Sequence, residues 1–155
     1  MKIPESVLPF WHAYEASVGC DLSARFYESF YFADSEAVAN DLAELVLAGT
    51  KRATAGLLWA YEQDSEPLPK PGGLSVVTMF DGTPRCVIET SGVETVAFED
   101  VSVEFAATEG EGDRSLEYWR EAHWKFFQRS CRQMGREPTP RMPVVCERFE
   151  VVFRG

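Results

Sequence analysis

The sequence has few of the residues that commonly bind metals or form disulfides. Its 155 residues include four cysteines and two histidines. No Cys-x-x-Cys pair occurs, which argues against a zinc site and favours small buried apolar roles for the cysteines. These are Cys20, Cys86, Cys131 and Cys146. His12 and His123 lie far apart in the sequence, so a metal site would have to use carboxylates. We therefore expect no metal and no cofactor.

Long apolar runs are also missing. No stretch approaches the roughly 20 apolar residues that a membrane-spanning helix needs. Residues 1–5 (MKIPE) do not lead into the apolar core of a signal peptide. We therefore expect a cytoplasmic protein without membrane contact. Its length predicts a single domain, residues 1–155, of which residues 1–24 form an N-terminal helical extension.

Positive charge is scarce. Fifteen basic residues face 25 acidic ones, and the formal net charge is −10. This sign is wrong for a protein that holds long nucleic acid through its phosphates. Residues 114–155 are the exception, because they carry nine basic and five acidic residues. We expect a small neutral ligand, and RNA contact that is weak, with a dissociation constant in the micromolar range or above at about 150 mM salt.

The spacing of apolar residues predicts an α+β fold. Predicted helices cover residues 5–17, 35–48, 54–61, 101–107 and 115–134. Predicted strands cover residues 74–80, 85–91, 93–98 and 142–153, and all four are expected in one curved sheet or barrel. Asp81-Gly82 supplies a hairpin turn between the first two strands. The aromatic-rich stretch 26–32 is expected to form core or a packing flap.

The turn Gly49–Thr54 (GTKRAT) lies between two predicted helices. Gly49 stands where a helix C-cap glycine belongs, since a left-handed residue there is least strained without a Cβ. Thr54 can cap the next helix. The turn would then place Lys51, Arg52 and a hydroxyl beside a helix N-terminus, where anions and developing negative charge are favoured.

A second motif is the acidic, glycine-rich run 109–116 (EGEGDRSL), which is followed by Trp119 and His123. Together with the run 43–54 (AELVLAGTKRAT), it resembles the ASCH domain family. The resemblance covers roughly residues 25–153. It implies a PUA-like fold, a small mixed or antiparallel β-barrel with peripheral helices.

The resemblance also implies a chemistry. Lys51 and Thr54 match the catalytic pair of the small ASCH amidohydrolases, which remove an acyl group from the exocyclic nitrogen of a modified cytidine. A threonine hydroxyl needs a base to become a nucleophile, and a lysine can be that base when burial or a nearby cation lowers its pKa. Glu109 matches the family's catalytic glutamate best, with Glu111 close behind. The chain departs from those enzymes after Thr54, where it reads as a helix and they continue into a strand.

Further residues near these motifs could bind substrate. Arg52 could polarise the reacting group, and Glu111 and Asp113 lie in the acidic run, where Asp113 can also cap the following helix. Trp59 and Trp119 could stack on a base, although packing in the core is commoner at such spacing. For His123, on an apolar helical face, a core or cleft-wall role competes with a role in binding.

Two alternatives to a hydrolase remain open at this point. One is an RNA-binding PUA-like domain, with or without ribonuclease activity, which would contact phosphate through Lys51, Arg52 and a basic stripe on the helix 115–134. The stripe consists of Lys125, Arg129, Arg132 and Arg136. The other is a regulatory module that binds a nucleotide-like ligand without turnover. A nucleoside-sized pocket around Lys51 would favour the enzyme, and an open basic groove would favour the RNA binder.

Overall fold

A computed structural model describes residues 3–155. The helices are α1 (Leu8–Val18), α2 (Glu36–Leu47), α3 (Leu58–Gln63), α4 (Val103–Glu109) and α5 (Leu116–Met134). The strands are β1 (Phe26–Phe30), β2 (Ala53–Leu57), β3 (Leu74–Thr78), β4 (Pro84–Ala97) and β5 (Pro143–Arg154). Short 3₁₀ turns lie at Glu5–Val7, Ser23–Arg25 and Phe98–Asp100. The α+β class is confirmed. None of the described helices is long and apolar enough to cross a membrane.

The five strands form one mixed sheet in the order β1-β3-β4-β5-β2. β1 runs parallel to β3, and the other neighbouring pairs are antiparallel. All four strands predicted from the sequence lie in this sheet, as expected. The sheet is open within residues 3–155, because β1 and β2 are its two edges. The closed barrel that the resemblance implies is therefore not what these strands form.

Two predicted strands are one long strand in the structure. The sequence suggests a break at Ser91-Gly92, but β4 continues through it and pairs with β5 along its length. The break marks a shift in the β4–β5 register between Thr90 and Gly92. Such a bulge lets one strand bend without leaving its ladder.

The helix predicted over residues 54–61 is wrong in its first half. Residues 53–57 form the edge strand β2, which pairs antiparallel with β5 from Ala53 opposite Arg148 to Leu57 opposite Val144. The helix α3 begins only at Leu58. A partner strand far along the chain thus overrides the local preference at Thr54, which belongs to the strand and not to a helix cap.

The core consists of three groups of buried side chains around the sheet. The first joins α1 to the sheet and includes Trp11, Tyr14, Phe26, Leu74, Val76 and Val87. The second lies beneath α2 and includes Phe32, Ala43, Val46, Val77, Ile88 and Phe149. The third lies beneath α4 and α5 and includes Phe105, Trp119, Phe127, Met142 and Val144. Burying each large apolar side chain contributes roughly 1.5–3 kcal/mol, so α5 is held firmly against the sheet.

Candidate functional site

The two sequence motifs meet at the chain reversal after α2. Gly49 adopts a left-handed backbone with φ of 80°, as predicted for the residue that ends this helix. The amides of Thr50 and Lys51 then donate to the Leu45 carbonyl at 3.0 and 3.1 Å. Gly110, at the end of α4, packs directly on this turn, since a Cβ there would collide with the Thr50 carbonyl. The reversal and the acidic run therefore fix one another's position.

Lys51 is the most unusual side chain at this junction, because only 1% of it is exposed. Its Nζ donates to the Ala53 carbonyl at 2.8 Å and to Glu111 Oε2 at 2.7 Å. The same atom lies 5.1 Å from the centre of the Phe32 ring, within range of a cation–π contact. The ammonium is thus surrounded by a carbonyl, a carboxylate and an aromatic face. Lys51 is therefore buried and at the same time lines a cavity wall.

Glu109 is fully buried next to this lysine. Its Oε2 accepts hydrogen bonds from Trp119 Nε1 at 2.8 Å and from His123 Nε2 at 3.0 Å. The other ring nitrogen of His123, Nδ1, lies 2.9 Å from the Trp119 carbonyl, which can only accept. Both imidazole nitrogens therefore face acceptors, and the doubly protonated ring satisfies both of them.

Glu109 and His123 change one another's pKa: that of Glu109 is lowered and that of His123 is raised. Burial raises the pKa of Glu109, but the charges of Lys51 and His123 outweigh burial and lower it overall. Burial likewise lowers the pKa of His123, and the Glu109 charge and hydrogen bond reverse this and raise it. Glu109 and His123 are therefore held as an ion pair over a wider pH range than either would be alone.

Lys51 opens onto a cavity of about 170 Å³. Its lining includes Phe32, Lys51, Thr54, Glu111, His123 and Phe126. At its edge Arg129 Nη2 lies 3.3 Å from Asp34 Oδ2. The structure thus brings Lys51, Thr54, Glu111 and His123 to one surface, with Glu109 directly behind His123.

Four other predicted site residues lie elsewhere. Arg52 points away from this cavity and lines a separate cleft. Trp59 packs against the core beneath α5, and the Arg136 guanidinium covers its ring at 3.7 Å. Asp113 is exposed, and its Oδ1 accepts from the Ser115 amide at 2.9 Å, in line with its predicted helix-starting role. Trp119 is buried and stacks on His123, with ring centres 4.2 Å apart.

The basic stripe on α5 is largely engaged by the protein itself. Lys125 Nζ lies 3.2 Å from Glu121 Oε1, and Arg129 pairs with Asp34. Arg136 covers Trp59 and Arg132 is exposed, and neither forms an ion pair among the described residues. Half of the stripe's positive charge is therefore balanced by a carboxylate and half is not.

Sequence reasoning missed part of the cavity lining. Phe32 and Asp34 belong to the segment between β1 and α2, which carries no recognisable motif. Phe126 and Arg129 of α5 also line the cavity, and the sequence predicts only Arg129, as a member of the basic stripe. Helical spacing places them one and two turns beyond His123, which was the available signal for including them.

Three of these side chains could also approach a metal ion. Glu109, Glu111 and His123 each offer a ligand atom, and the three atoms lie within 4.8 Å of one another. Glu111 already pairs with Lys51, and Glu109 Oε2 accepts from His123, while Glu109 Oε1 is buried without a hydrogen-bond partner in the described part of the chain. The lysine ammonium supplies the positive charge that a metal would otherwise bring.

Comparisons with known proteins agree with one another. The ASCH domain family model matches residues 28–153. An ASCH domain structure from Lactobacillus crispatus JV V101 is 39% identical, with a TM-score of 0.90 over 99% of this chain and 98% of that one. Protein EF3133 from Enterococcus faecalis V583 is 32% identical, with a TM-score of 0.88 over 97% of this chain and 90% of that one. No curated protein matches the chain. On the family match and these two structures, the chain belongs to the ASCH domain family.

Proposed function

We propose that this protein is a hydrolase that cleaves the amide bond of a small, uncharged N-acylated molecule, with an N-acylated nucleoside as the substrate class. The observation that carries the proposal is the buried Lys51 ammonium, which opens onto the same cavity as the Thr54 hydroxyl. Lysine and threonine at this spacing also match the catalytic pair of the small ASCH amidohydrolases, and the chain belongs to the wider ASCH domain family.

The charges around the cavity support an uncharged substrate. Each cation there faces a carboxylate: Lys51 faces Glu111, and Arg129 faces Asp34. His123 faces Glu109 in the same way, behind the wall. A charged ligand would have to compete with one of these pairs, and at Lys51–Glu111 it would leave a largely buried charge uncompensated. A neutral amide needs no such exchange.

In the proposed reaction Thr54 Oγ1 attacks the acyl carbon of the substrate. Its proton passes to Lys51, which must first have given its own extra proton to Glu111, 2.7 Å away. The carbon–nitrogen bond then breaks, and Lys51 returns the proton to the leaving nitrogen. Water hydrolyses the threonine ester that remains and restores the free hydroxyl. Glu111, which contacts Lys51, takes the proton-accepting role in this scheme, and Glu109 positions His123.

The test is hydrolysis of an N-acylated cytidine, followed by chromatography of the released base-containing product. Lys51→Ala and Thr54→Ala should each reduce kcat/KM by about 10²-fold or more, as expected when a nucleophile or its base is lost. Thr54→Ser should keep substantial activity, because it retains a hydroxyl. Lys125→Ala and Thr95→Ala are matched controls, since both side chains are exposed and outside the cavity.

Because Lys51 is buried between carboxylates, its replacement could also loosen the fold. Circular dichroism and the unfolding midpoint in urea separate the two effects. Full activity in Thr54→Ala with an unchanged fold would overturn the nucleophile assignment. Absence of turnover in the wild type, across nucleosides acylated on different nitrogens, would overturn the substrate class.

A further inference from the structure

The two motifs that meet at Lys51 also meet at a second cleft. Arg52 directly follows Lys51, and Arg114 comes three residues after Glu111. Both arginines line a cavity of about 500 Å³ together with Arg148 of β5. No residue lines both this arginine cleft and the Lys51 cavity. The hydrolysis proposed for the Lys51 cavity therefore gives Arg52 and Arg114 no role, although they belong to the same two motifs.

The backbone holds Arg52 in place from two directions. Its amide donates to the Thr108 carbonyl at the end of α4 at 2.9 Å, and its carbonyl accepts from the Phe149 amide of β5 at 3.0 Å. The residue is thus clamped between a helix end and a central strand, while its side chain is exposed. A flexible surface arginine would lose more conformational entropy on binding a ligand than one with a fixed backbone.

Arg114 is held in an unfavourable conformation. Its φ is 65°, in the left-handed region, where a residue with a Cβ pays of the order of 1–3 kcal/mol. Its amide donates to the Glu111 carbonyl at 2.9 Å, which stabilises this turn. The turn directs the chain so that Glu111 lines one cavity and Arg114 lines the other. Backbone strain of this kind clusters at active sites and ligand-binding positions.

The charges of the arginine cleft are not balanced. Arg148 is committed to Glu104, through Nη1 and Nη2 at 2.7 and 2.9 Å from its two oxygens. Arg52 and Arg114 form no ion pair with any residue in the range 3–155. Glu150 is the only other carboxylate in the lining. Three guanidinium groups thus face two carboxylates, in a protein whose formal charge is −10.

We propose that the arginine cleft binds a phosphate group, through Arg52 and Arg114. A guanidinium offers parallel N–H donors that match the oxygens of a phosphate, and two such groups on fixed backbone form a fork for one anion. Arg148 and Glu104 also line the cleft and form their own ion pair, and the charge of Arg52 lowers the pKa of Glu104 as well, after the larger effect of the Arg148 hydrogen bond. The phosphate can be that of a free nucleotide or that of an RNA backbone, because both present the same oxygens. This site is separate from the hydrolytic one and does not depend on it.

The experiment titrates the full-length protein with three probes: inorganic phosphate, cytidine 5′-monophosphate and a labelled single-stranded 12-mer RNA. Cytidine, which carries no phosphate, controls for binding of the nucleoside part at the Lys51 cavity, and its affinity should not change in the cleft variants. The variants are Arg52→Gln, Arg114→Gln and their double mutant, with Arg132→Gln as the matched control, since Arg132 is an exposed arginine outside the cleft. Urea unfolding of each variant checks the fold.

We expect each cleft variant to weaken binding of a phosphate-bearing probe about tenfold, because one charge-assisted hydrogen-bonded contact is lost. Arg132→Gln should bind as the wild type does. Arg52→Lys should bind with an intermediate affinity, because it keeps the charge and loses the fork. For RNA, each lost contact should also reduce the slope of log K against log salt by about 0.7.

The pattern across probes identifies the source of the phosphate. Binding of the nucleotide but not of RNA points to a free phosphate ester, and the reverse points to a phosphodiester backbone. The proposal is overturned if no phosphate-bearing probe binds, or if binding is equally strong in the folded Arg52→Gln/Arg114→Gln double mutant. A Lys51→Ala variant that loses hydrolysis but keeps phosphate binding would show that the two sites are independent.

Discussion

The Lys51 cavity and the arginine cleft differ in how they treat charge. In the first, a buried ammonium faces a carboxylate at 2.7 Å, and the next cation along the wall is paired as well. In the second, two exposed guanidinium groups have no ionic partner among the described residues. Lys51 and Arg52 are nevertheless neighbours in the chain. Consecutive residues of an extended segment point to opposite sides, so one basic dipeptide serves two surfaces with different chemistry.

The largest effect on stability is expected where Gly110 packs on the turn that carries Thr50 and Lys51, between the two clefts. Gly110→Ala would force a Cβ into the Thr50 carbonyl at a backbone φ of 70°, and we expect a loss of about 3 kcal/mol or more in the free energy of unfolding. Both clefts should lose function together. Urea denaturation measures the change.

Gly49→Ala is the matched control for that substitution. Gly49 has a φ of 80°, but a Cβ there meets no atom within 4 Å. Only the backbone strain remains, which costs about 1–2 kcal/mol. Equal destabilisation by the two variants would mean that the contact between Gly110 and Thr50 contributes nothing.

Replacing Lys51 by arginine and, in a second variant, Arg52 by lysine separates the roles of the two cations. Lys51→Arg should reduce hydrolysis of the N-acylated cytidine by about 10²-fold, because a guanidinium does not release its proton near neutral pH. Arg52→Lys should leave hydrolysis within about twofold of the wild type, since Arg52 is outside that cavity. Measured kcat/KM values decide the comparison. Near wild-type turnover by Lys51→Arg would show that position 51 supplies only positive charge.

Between pH 5.5 and 8, the pH dependence of stability should involve the ion pair behind the Lys51 cavity and not the arginine cleft, whose Glu104 has a pKa lowered below 4.5 by the Arg148 hydrogen bond. The pKa of His123 is raised on folding, so its contribution is complete below its usual value of 6.5 and disappears as pH rises through the folded value. The pKa of Glu109 is lowered, so its contribution is present above its usual 4.5 and disappears as pH falls through the folded value. The pair should therefore stabilise most between these two usual values.

His123→Gln tests this expectation. The wild type should exceed this variant in unfolding free energy by about 1–2 kcal/mol more at pH 5.5 than at pH 8. Burial also raises the pKa of Glu28 to about 7, which makes stability depend on pH in the same range. Subtracting the unfolding free energy of the variant from that of the wild type cancels this contribution. The Arg52→Gln/Arg114→Gln double mutant should keep the wild-type pH profile. A difference that stays constant with pH would show that folding does not shift the pKa of His123, and a difference that grows towards pH 8 would show that the folded ring is neutral.

The smallest effect is expected at the edge of the Lys51 cavity. Asp34→Asn removes an exposed ion-pair partner, so stability should change by no more than about 0.5 kcal/mol. It also frees Arg129 and makes this cavity resemble the arginine cleft. The ratio of kcat/KM for an N-acylated nucleotide to that for the corresponding nucleoside should rise about twofold. An unchanged ratio would mean that Arg129 does not sense the substrate's charge.

Much of the fold could be predicted because its signals are local. The α5 periodicity, the Gly49 helix end and the strands around Asp81-Gly82 all depend on residues close in sequence. The edge strands could not be predicted in the same way. The partner of β1 is β3, and that of β2 is β5, almost 100 residues along the chain. Short stretches such as Ala53–Leu57 show no clear period, so their partners decide their conformation.

For the candidate site, the sequence predicts which residues take part better than it predicts the direction in which each side chain points. Lys51, Thr54, Glu111 and His123 do line one cavity. That Arg52 would face the other way depends on the hydrogen bonds that clamp its backbone, and these involve Thr108 and Phe149. The choice between Glu109 and Glu111 as the neighbour of Lys51 depends on the left-handed turn at Gly110. Such backbone details are not visible in a one-dimensional pattern.

The clamp around residues 50–52 has a consequence for local dynamics. This segment lies outside the helices and strands, yet its amides donate to Leu45 and Thr108 and one of its carbonyls accepts from β5. The Lys51 amide hydrogen exchanges with solvent only when its bond to Leu45 of α2 opens, and that of Arg52 only when its bond to Thr108 of α4 opens. The amides of Lys51 and Arg52 should thus be among the slowest to exchange. The two clefts would then share one cooperative unit, and neither could open by local unfolding alone.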